Sequence, residues 1–302
     1  MFSWIQRLLA TTGPPSRQEN LLQSLACLIR LHQEAYVLQL RNDERYRDPR
    51  RLLAWEHQVY SQGGEDGIIA EIFRRIGTKN RTFVEIGVGD GLENNTAFLL
   101  TQGWSGFWLE GDPECVRKIR VGCKRAQVDR SLHLIELFVT GENVASALQQ
   151  AGAPTEVDLL SIDVDQNTYW IWSALGQISA RVVVVEYNAA WPAAVDWKVP
   201  YDPAEMFDGT LCFGASLKAL ELLGRQFGYN LVGCNLAGVN AFFVRSDLCG
   251  DHFAAPFSAE NHYEPPRYWL IRPRDGRGTN APILEFPRSY GPLQMPRPAS
   301  GS

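Results

Sequence analysis

The stretch VEIGVGDG, residues 84–91, decides the fold of this 302-residue chain. It continues the apolar run TFVEIG (82–87), sets glycines at 87, 89 and 91, and leads into NTAFLLTQG (95–103). That last segment has helical spacing and a closing Gly103. A strand that ends in glycines and turns into a helix opens a nucleotide-binding α/β sheet, because glycine allows a tight turn and close approach of a ligand to the backbone. The dinucleotide fingerprint requires glycine at position 92, where this chain has Leu92. Glu85 lies inside the strand, and an anion there repels a diphosphate but favours a cationic ligand. An acidic residue with glycines at alternate positions is the pattern of S-adenosylmethionine sites, whose ligand carries an ammonium and a sulfonium. A plain glycine-rich turn is the alternative. About twenty residues on, Glu110 and Asp112 close the strand FWLEG (107–111), where a carboxylate accepts hydrogen bonds from both ribose hydroxyls.

Outward from this unit, helix and strand patterns alternate from Gly64 to Arg245. Ile68, Ile69, Ile72, Phe73 and Ile76 line one helix face, with Gly77 as its cap. Further strands are LHLIELFV (132–139), VDLLSID (157–163) and RVVVVEY (181–187). The last is β-branched throughout, as expected of a strand buried on both faces of a parallel sheet. LVGCN (231–235) and VNAFFVR (239–245) have hairpin spacing, so an antiparallel pair finishes the sheet.

Composition narrows the function classes. Hydrophobic residues make up 45% and charged residues 21%, with a net charge of -5, which excludes a disordered chain and argues against nucleic-acid binding. No apolar run is long enough for a membrane span. The N-terminus does not read as a secretory signal, and the six cysteines form no CxxC pairs, so free thiols in a reducing cytoplasm are expected. Three regions are expected: an N-terminal helical extension (1–50), a catalytic domain (51–250) and a proline-rich irregular arm (251–302) with a disordered tip. In the first, Gly13-Pro14-Pro15 breaks the chain before an apolar series at Leu21, Leu22, Leu25, Leu28, Ile29 and Tyr36. This helix packs on the main domain, makes a homodimer contact or lies on a membrane surface.

From Tyr60 to Arg245 the chain resembles the FkbM-type S-adenosylmethionine-dependent methyltransferases. The stretches that carry the resemblance are YSQGGEDGII (60–69), FVEIGVGDGLENNT (83–96), LEGDPE (109–114), VTGENV (139–144), DLLSIDVDQNTYWIW (158–172), VVVVEYN (182–188), the VPYDP…FGASLKAL segment (199–220) and GVNAFFV (238–244). The resemblance implies a Rossmann-like class I methyltransferase fold, with a mostly parallel seven-stranded sheet, an antiparallel last strand and helices on both faces. It also implies S-adenosylmethionine as cofactor and O-methylation of a hydroxyl on a glycan or a small natural product.

Candidate chemistry gathers at the carboxyl ends of the strands, the edge that lines the ligand crevice of such a sheet. Asp163 and Asp165 are the candidate catalytic carboxylates, although Asp165 suits a helix cap equally well. Glu186 and Asn188 end the fifth strand, and with Asp163 they would offer oxygen ligands to Mg²⁺ or another divalent cation. Some sugar O-methyltransferases have a similar Asp-rich pair of strand ends, with consecutive aspartates where this chain has Glu-Tyr-Asn. Gln62, in a polar loop with Ser61, is a further candidate cofactor contact beside Glu85, Gly87, Gly89, Gly91, Glu110 and Asp112. Glu93, Asn94 and Asn95 read as caps of the helix after the glycine loop or as residues that reach the cofactor. The long insertion 188–214 carries Trp191 and Trp197 and reads as a mobile acceptor lid with little apolar area to anchor it, or as a segment packed on its own aromatic core. Two other function classes fit the fold: a nicotinamide-dependent oxidoreductase, and a non-catalytic partner-binding protein.

Overall fold

The computed structural model describes residues 17–206 and 209–271. The chain divides into two compact units, Met1–Asp48 and Pro49–Ser302. In the first, the described residues form one long helix, α1 (Arg17–Arg41), on which Leu21, Leu25, Leu28, Leu31 and Leu38 are exposed. The break at Gly13-Pro14-Pro15 lies outside the described residues.

The second unit is built on seven strands: β1 (Thr82–Ile86), β2 (Ser105–Glu110), β3 (Leu132–Glu136), β4 (Glu156–Ile162), β5 (Ser179–Glu186), β6 (Tyr229–Cys234) and β7 (Asn240–Arg245). They form one sheet in the order β3-β2-β1-β4-β5-β7-β6. The first five strands pair in parallel, and β7 is antiparallel to both β5 and β6. This is the mostly parallel seven-stranded Rossmann-like sheet that the sequence leads one to expect.

Helices α2 (Glu65–Ile76), α3 (Ala97–Thr101), α4 (Pro113–Gly122) and α5 (Lys124–Val128) precede or follow the first two strands. Helices α6 (Val144–Gln150), α7 (Thr168–Ala174) and α8 (Leu217–Gln226) connect the later ones. Successive strand residues face opposite sides, and β5 shows the consequence. Val182 and Val184 join a core with Phe83, Leu159 and the α2 isoleucines, whereas Val183 and Val185 join Val84, Ile86, Leu160 and residues of α6, α7 and α8. Both faces are therefore covered, which is why RVVVVEY lacks polar alternation.

Helix α3 is shorter than the helix expected over 95–103. The backbone N–H groups of Asn95 and Thr96 are held by Glu85, so the helix begins only at Ala97.

Parallel strands share one direction, so their carboxyl ends fall on one edge. Antiparallel β7 brings its first residue there instead, and Asn240 sits opposite Glu186 in the register. The compact unit also runs on past residue 250. After α9 (Ser246–Cys249) and α10 (Ala259–His262), the chain returns to this edge. There the Tyr187 hydroxyl donates to Glu264 O at 2.6 Å, the Tyr263 hydroxyl to Ala189 O at 2.6 Å, and Arg267 N to Ala237 O at 2.8 Å. The proline-rich residues from 272 on, with the expected disordered tip, lie outside the described residues.

Candidate functional site

Gly87 turns the chain at the end of β1 with φ +78°, in the left-handed region that favours glycine. A side chain there would meet the backbone of β4, since a Cβ would lie 1.7 Å from the carbonyl oxygen of Asp163. At Gly89 the same test finds open space within 4 Å. That space belongs to a cavity of about 390 Å³. Cys115 and Lys118 of α4 line it on the β2 side, and Gly87, Val88, Gly89 and Asp90 line the centre. Asp163 and Asn240 line it towards β7, and Gln62 comes from the loop before α2. Gly91 does not line the cavity. It is a packing position, where a Cβ would lie 2.9 Å from Trp108 Cζ3.

Glu85 differs from its expected role. Its carboxylate lies on the cavity wall, yet both oxygens are taken up by the protein. It accepts from Asn94 Nδ2 at 2.6 Å, Asn95 N at 2.8 Å, Thr96 N at 3.0 Å, Thr96 Oγ1 at 2.5 Å and Ser161 Oγ at 3.2 Å. Burial pushes its pKa up, and these donors pull it back down. Glu85 thus fastens the loop 94–96, and a direct contact to a ligand ammonium is not its geometry. Asn94 and Asn95 are not caps either, because α3 has no side-chain cap. Both line the cavity with Glu93. Asp66 does for the loop before α2 what Glu85 does after β1. Its Oδ2 accepts from the backbone of Val59, Tyr60 and Ser61 and from Ser61 Oγ. Ser61 is therefore structural, and its neighbour Gln62 reaches the cavity.

At the end of β2, Glu110 Oε2 accepts from Gly89 N at 2.7 Å and Oε1 from Asp112 N at 2.8 Å. Glu110 is not on the cavity wall, but it sets the position of Gly89, which is. Each carboxylate oxygen keeps a second lone pair. Asp112 is the N-cap of α4, accepting from Glu114 N at 2.8 Å ahead of Pro113 at the first helical position. Asp112, expected as a cofactor contact, is placed over the start of α4 and is not on the cavity wall.

Beyond Asp163 the cavity meets a cluster of three carboxylates. Asp163, Asp165 and Glu186 each bring an oxygen within 4.8 Å of the others. Among the described residues, no lysine or arginine pairs with them. Burial and the neighbouring Asp165 push Asp163 up to about 7, and burial with the two aspartates holds Glu186 well above the usual carboxylate range. Such a group of oxygens needs a shared proton or a hard cation to relieve its repulsion. Asp165 does not cap the turn Asp165–Asn167 that it opens, and its backbone has φ +52°. Aspartate is among the few residues besides glycine that adopt this left-handed conformation readily. Asn188 has other work: Nδ2 donates to Leu211 O at 2.7 Å and Phe213 O at 2.9 Å, and Oδ1 accepts from Ala190 N at 3.0 Å. Its amide fastens the segment after β5, so Asp165 takes the place in the oxygen set that was expected of Asn188.

The insertion 188–214 is anchored, contrary to expectation. Lys198 pairs with Ala215, Trp170 Nε1 donates to Val199 O at 2.9 Å, and the Tyr201 hydroxyl donates to Glu142 Oε2 at 2.6 Å. Polar bonds hold it where apolar area is scarce, because backbone groups facing a folded surface must find partners. Trp191 and Trp197 stack at 4.6 Å and are both partly exposed. Sequence reasoning singled out neither Asn240 nor Lys118 nor Tyr268. Tyr268 stands close enough to Glu186 for that carboxylate to raise its phenol further, after burial.

No family model and no curated protein sequence matches the chain. Solved structures match at low identity. A TehB-like SAM-dependent methyltransferase from Corynebacterium glutamicum shares 12% identity, with 72% of this chain and 99% of that one covered and a TM-score of 0.36. A precorrin-6y C5,15-methyltransferase from Geobacter metallireducens shares 17%, covering 59% and 86%, with a TM-score of 0.36. An O-methyltransferase from Bacillus cereus shares 19%, covering 52% and 67%, with a TM-score of 0.32. At these scores the matches assign neither a family nor an activity, and the fold rests on the sheet order itself.

Proposed function

We propose that the protein is an S-adenosylmethionine-dependent methyltransferase that methylates a hydroxyl of a glycan or small natural product. One observation carries the reading: Asp163 belongs both to the cavity behind the glycine turn and to the three-carboxylate cluster. A methyl donor in the cavity would thus have its reactive end beside a group that takes up protons. Gly87 and Gly89 would let the donor approach the backbone, and the spare lone pairs of Glu110 would hold the ribose. Gln62 would close the cavity from the loop before α2.

Methyl transfer is an in-line displacement, so the protein's task is alignment and removal of the acceptor's proton. The acceptor oxygen forms its bond to the methyl carbon as the sulfur–carbon bond breaks. Its proton passes to Asp163, whose raised pKa suits proton uptake near neutral pH. Burial and the charge of Asp165 raise that pKa, and Glu186 hydrogen-bonds the Asp163 carboxyl group. The same three residues fit a hard divalent cation such as Mg²⁺, which would lower the pKa of a bound hydroxyl. Trp191 and Trp197 offer a stacked aromatic surface for the acceptor.

Isothermal titration with S-adenosylmethionine, S-adenosylhomocysteine and NAD tests the donor. Binding of the first two and not of NAD is expected, and binding of NAD alone would overturn the reading. Transfer of labelled methyl groups to a panel of hydroxyl acceptors, with EDTA and then Mg²⁺, tests the reaction. Full activity after complete chelation would leave Asp163 as the base and remove the metal.

A further inference from the structure

Two asparagines on the cavity wall have an unusual hydrogen-bond account. Asn94 Nδ2 donates to Glu85 Oε2 at 2.6 Å, and Asn240 Nδ2 donates to Glu65 Oε1 at 3.1 Å. Both glutamates are almost wholly buried, and an ionised carboxylate only accepts. Each carboxylate therefore dictates which way its amide is turned: nitrogen towards the glutamate, oxygen away from it. Glu65 is itself held by Gly63 N and Asn235 Nδ2, at 2.8 and 2.7 Å, so its orientation is set as well.

The two amide oxygens have no partner. Asn94 is 8% exposed and Asn240 4%, and neither Oδ1 makes a hydrogen bond. Buried acceptors are rarely left unpaired, and two on the wall of one cavity call for a donor in that cavity. An anion stands one hydrogen bond behind each amide, so the wall favours positive charge without exposing a carboxylate. The cavity's cationic residue, Lys118, is on the opposite side, with α4 beside β2.

We propose that Asn94 and Asn240 are the recognition residues for a primary ammonium, their oxygens accepting its N–H groups while Glu85 and Glu65 act from behind as positioning residues. On the reading given above, on which this rests, that ammonium is the one at the methionine end of the donor. Glu85 then serves the cation through an amide, without touching it. The placement agrees with the chain order of the site, because Asn240 faces Glu186 across β5 and β7 and so lies beside the carboxylate cluster.

The test is isothermal titration of the whole chain with S-adenosylhomocysteine and with its analogue lacking the α-amino group. The wild-type protein is expected to prefer the amino compound by about tenfold or more, the effect of a hydrogen bond to a charged group. In Asn94→Ala and Asn240→Ala that preference should shrink, while affinity for the analogue stays the same. Equal wild-type affinity for the two compounds overturns the inference without any variant having to fold. Undiminished preference in both folded variants overturns it as well. If the wild type binds neither compound, the donor reading fails and the inference falls with it; binding without discrimination sinks the inference alone.

Discussion

The glycine turn carries separable demands residue by residue. Gly87 is closed in by the Asp163 carbonyl, so Gly87→Ala has to displace β4 and should prevent cooperative folding. Gly89 faces open space, so Gly89→Ala should fold, at a cost of about 1–2 kcal/mol for a left-handed alanine. Its methyl group would occupy the cavity, and S-adenosylhomocysteine affinity should fall sharply. Thermal melts paired with titration check both outcomes, and the reverse order of damage would contradict the assignment. Glu85 is expected to behave as a structural residue. Glu85→Gln places an amide NH₂ against donors it cannot serve, and should cost about 1–3 kcal/mol for each group left unpaired. Urea denaturation gives that number. Unchanged stability would mean that the loop 94–96 is held by something other than this carboxylate.

At the scale of elements, the insertion 188–214 and the segment 263–270 both return to the carboxyl edge of the sheet. The insertion is pinned near its middle by Trp170, Glu142 and Ala215, and beyond Tyr201 by Asn167 at Asp202 and by Asn188 at Leu211 and Phe213. Trp191 and Trp197 stack on each other and are only partly covered. Replacing either by alanine should therefore cost less than the ~3–5 kcal/mol of a buried aromatic. Acceptor turnover should fall, with S-adenosylhomocysteine affinity unchanged. A large drop in melting temperature with normal turnover per folded molecule would make the pair a core element and end its role in acceptor binding.

For the whole molecule, the carboxylate cluster links stability to pH. Asp163 titrates near 3.8 when unfolded and at about 7 when folded, and Glu186 is shifted in the same direction. Between those values the folded chain binds more protons than the unfolded one, so this contribution to stability is present at low pH and is lost as pH rises through about 7. Asp163→Asn should flatten that decline. A divalent cation held by the three carboxylates should also flatten it, because ionised oxygens then have a partner. Melting temperatures across this window, with and without Mg²⁺, measure both effects. A wild-type profile that matches Asp163→Asn would show that the cluster titrates normally.

The sequence by itself determined the sheet. The two-sided apolar run of β5, the glycines after β1 and the short gap between β6 and β7 each follow from local physics: strand burial, turn geometry and hairpin length. It also located the edge where carboxylates gather, since parallel strands must end together. Which of those carboxylates is free was decided only by the tertiary structure. Glu85 is saturated by the loop 94–96, Asp112 caps α4, and Asn188 is tied to Leu211 and Phe213, whereas Asp163, Asp165 and Glu186 meet with no lysine or arginine paired to them among the described residues. Asn240 reaches the site only because β7 runs antiparallel beside β5. Spacing along a chain tells which groups end near one another. The use of a polar group depends on how many donors the folded chain brings to it, and those donors come from distant positions: Ser161 reaches Glu85 across 76 residues and Asn240 reaches Glu65 across 175.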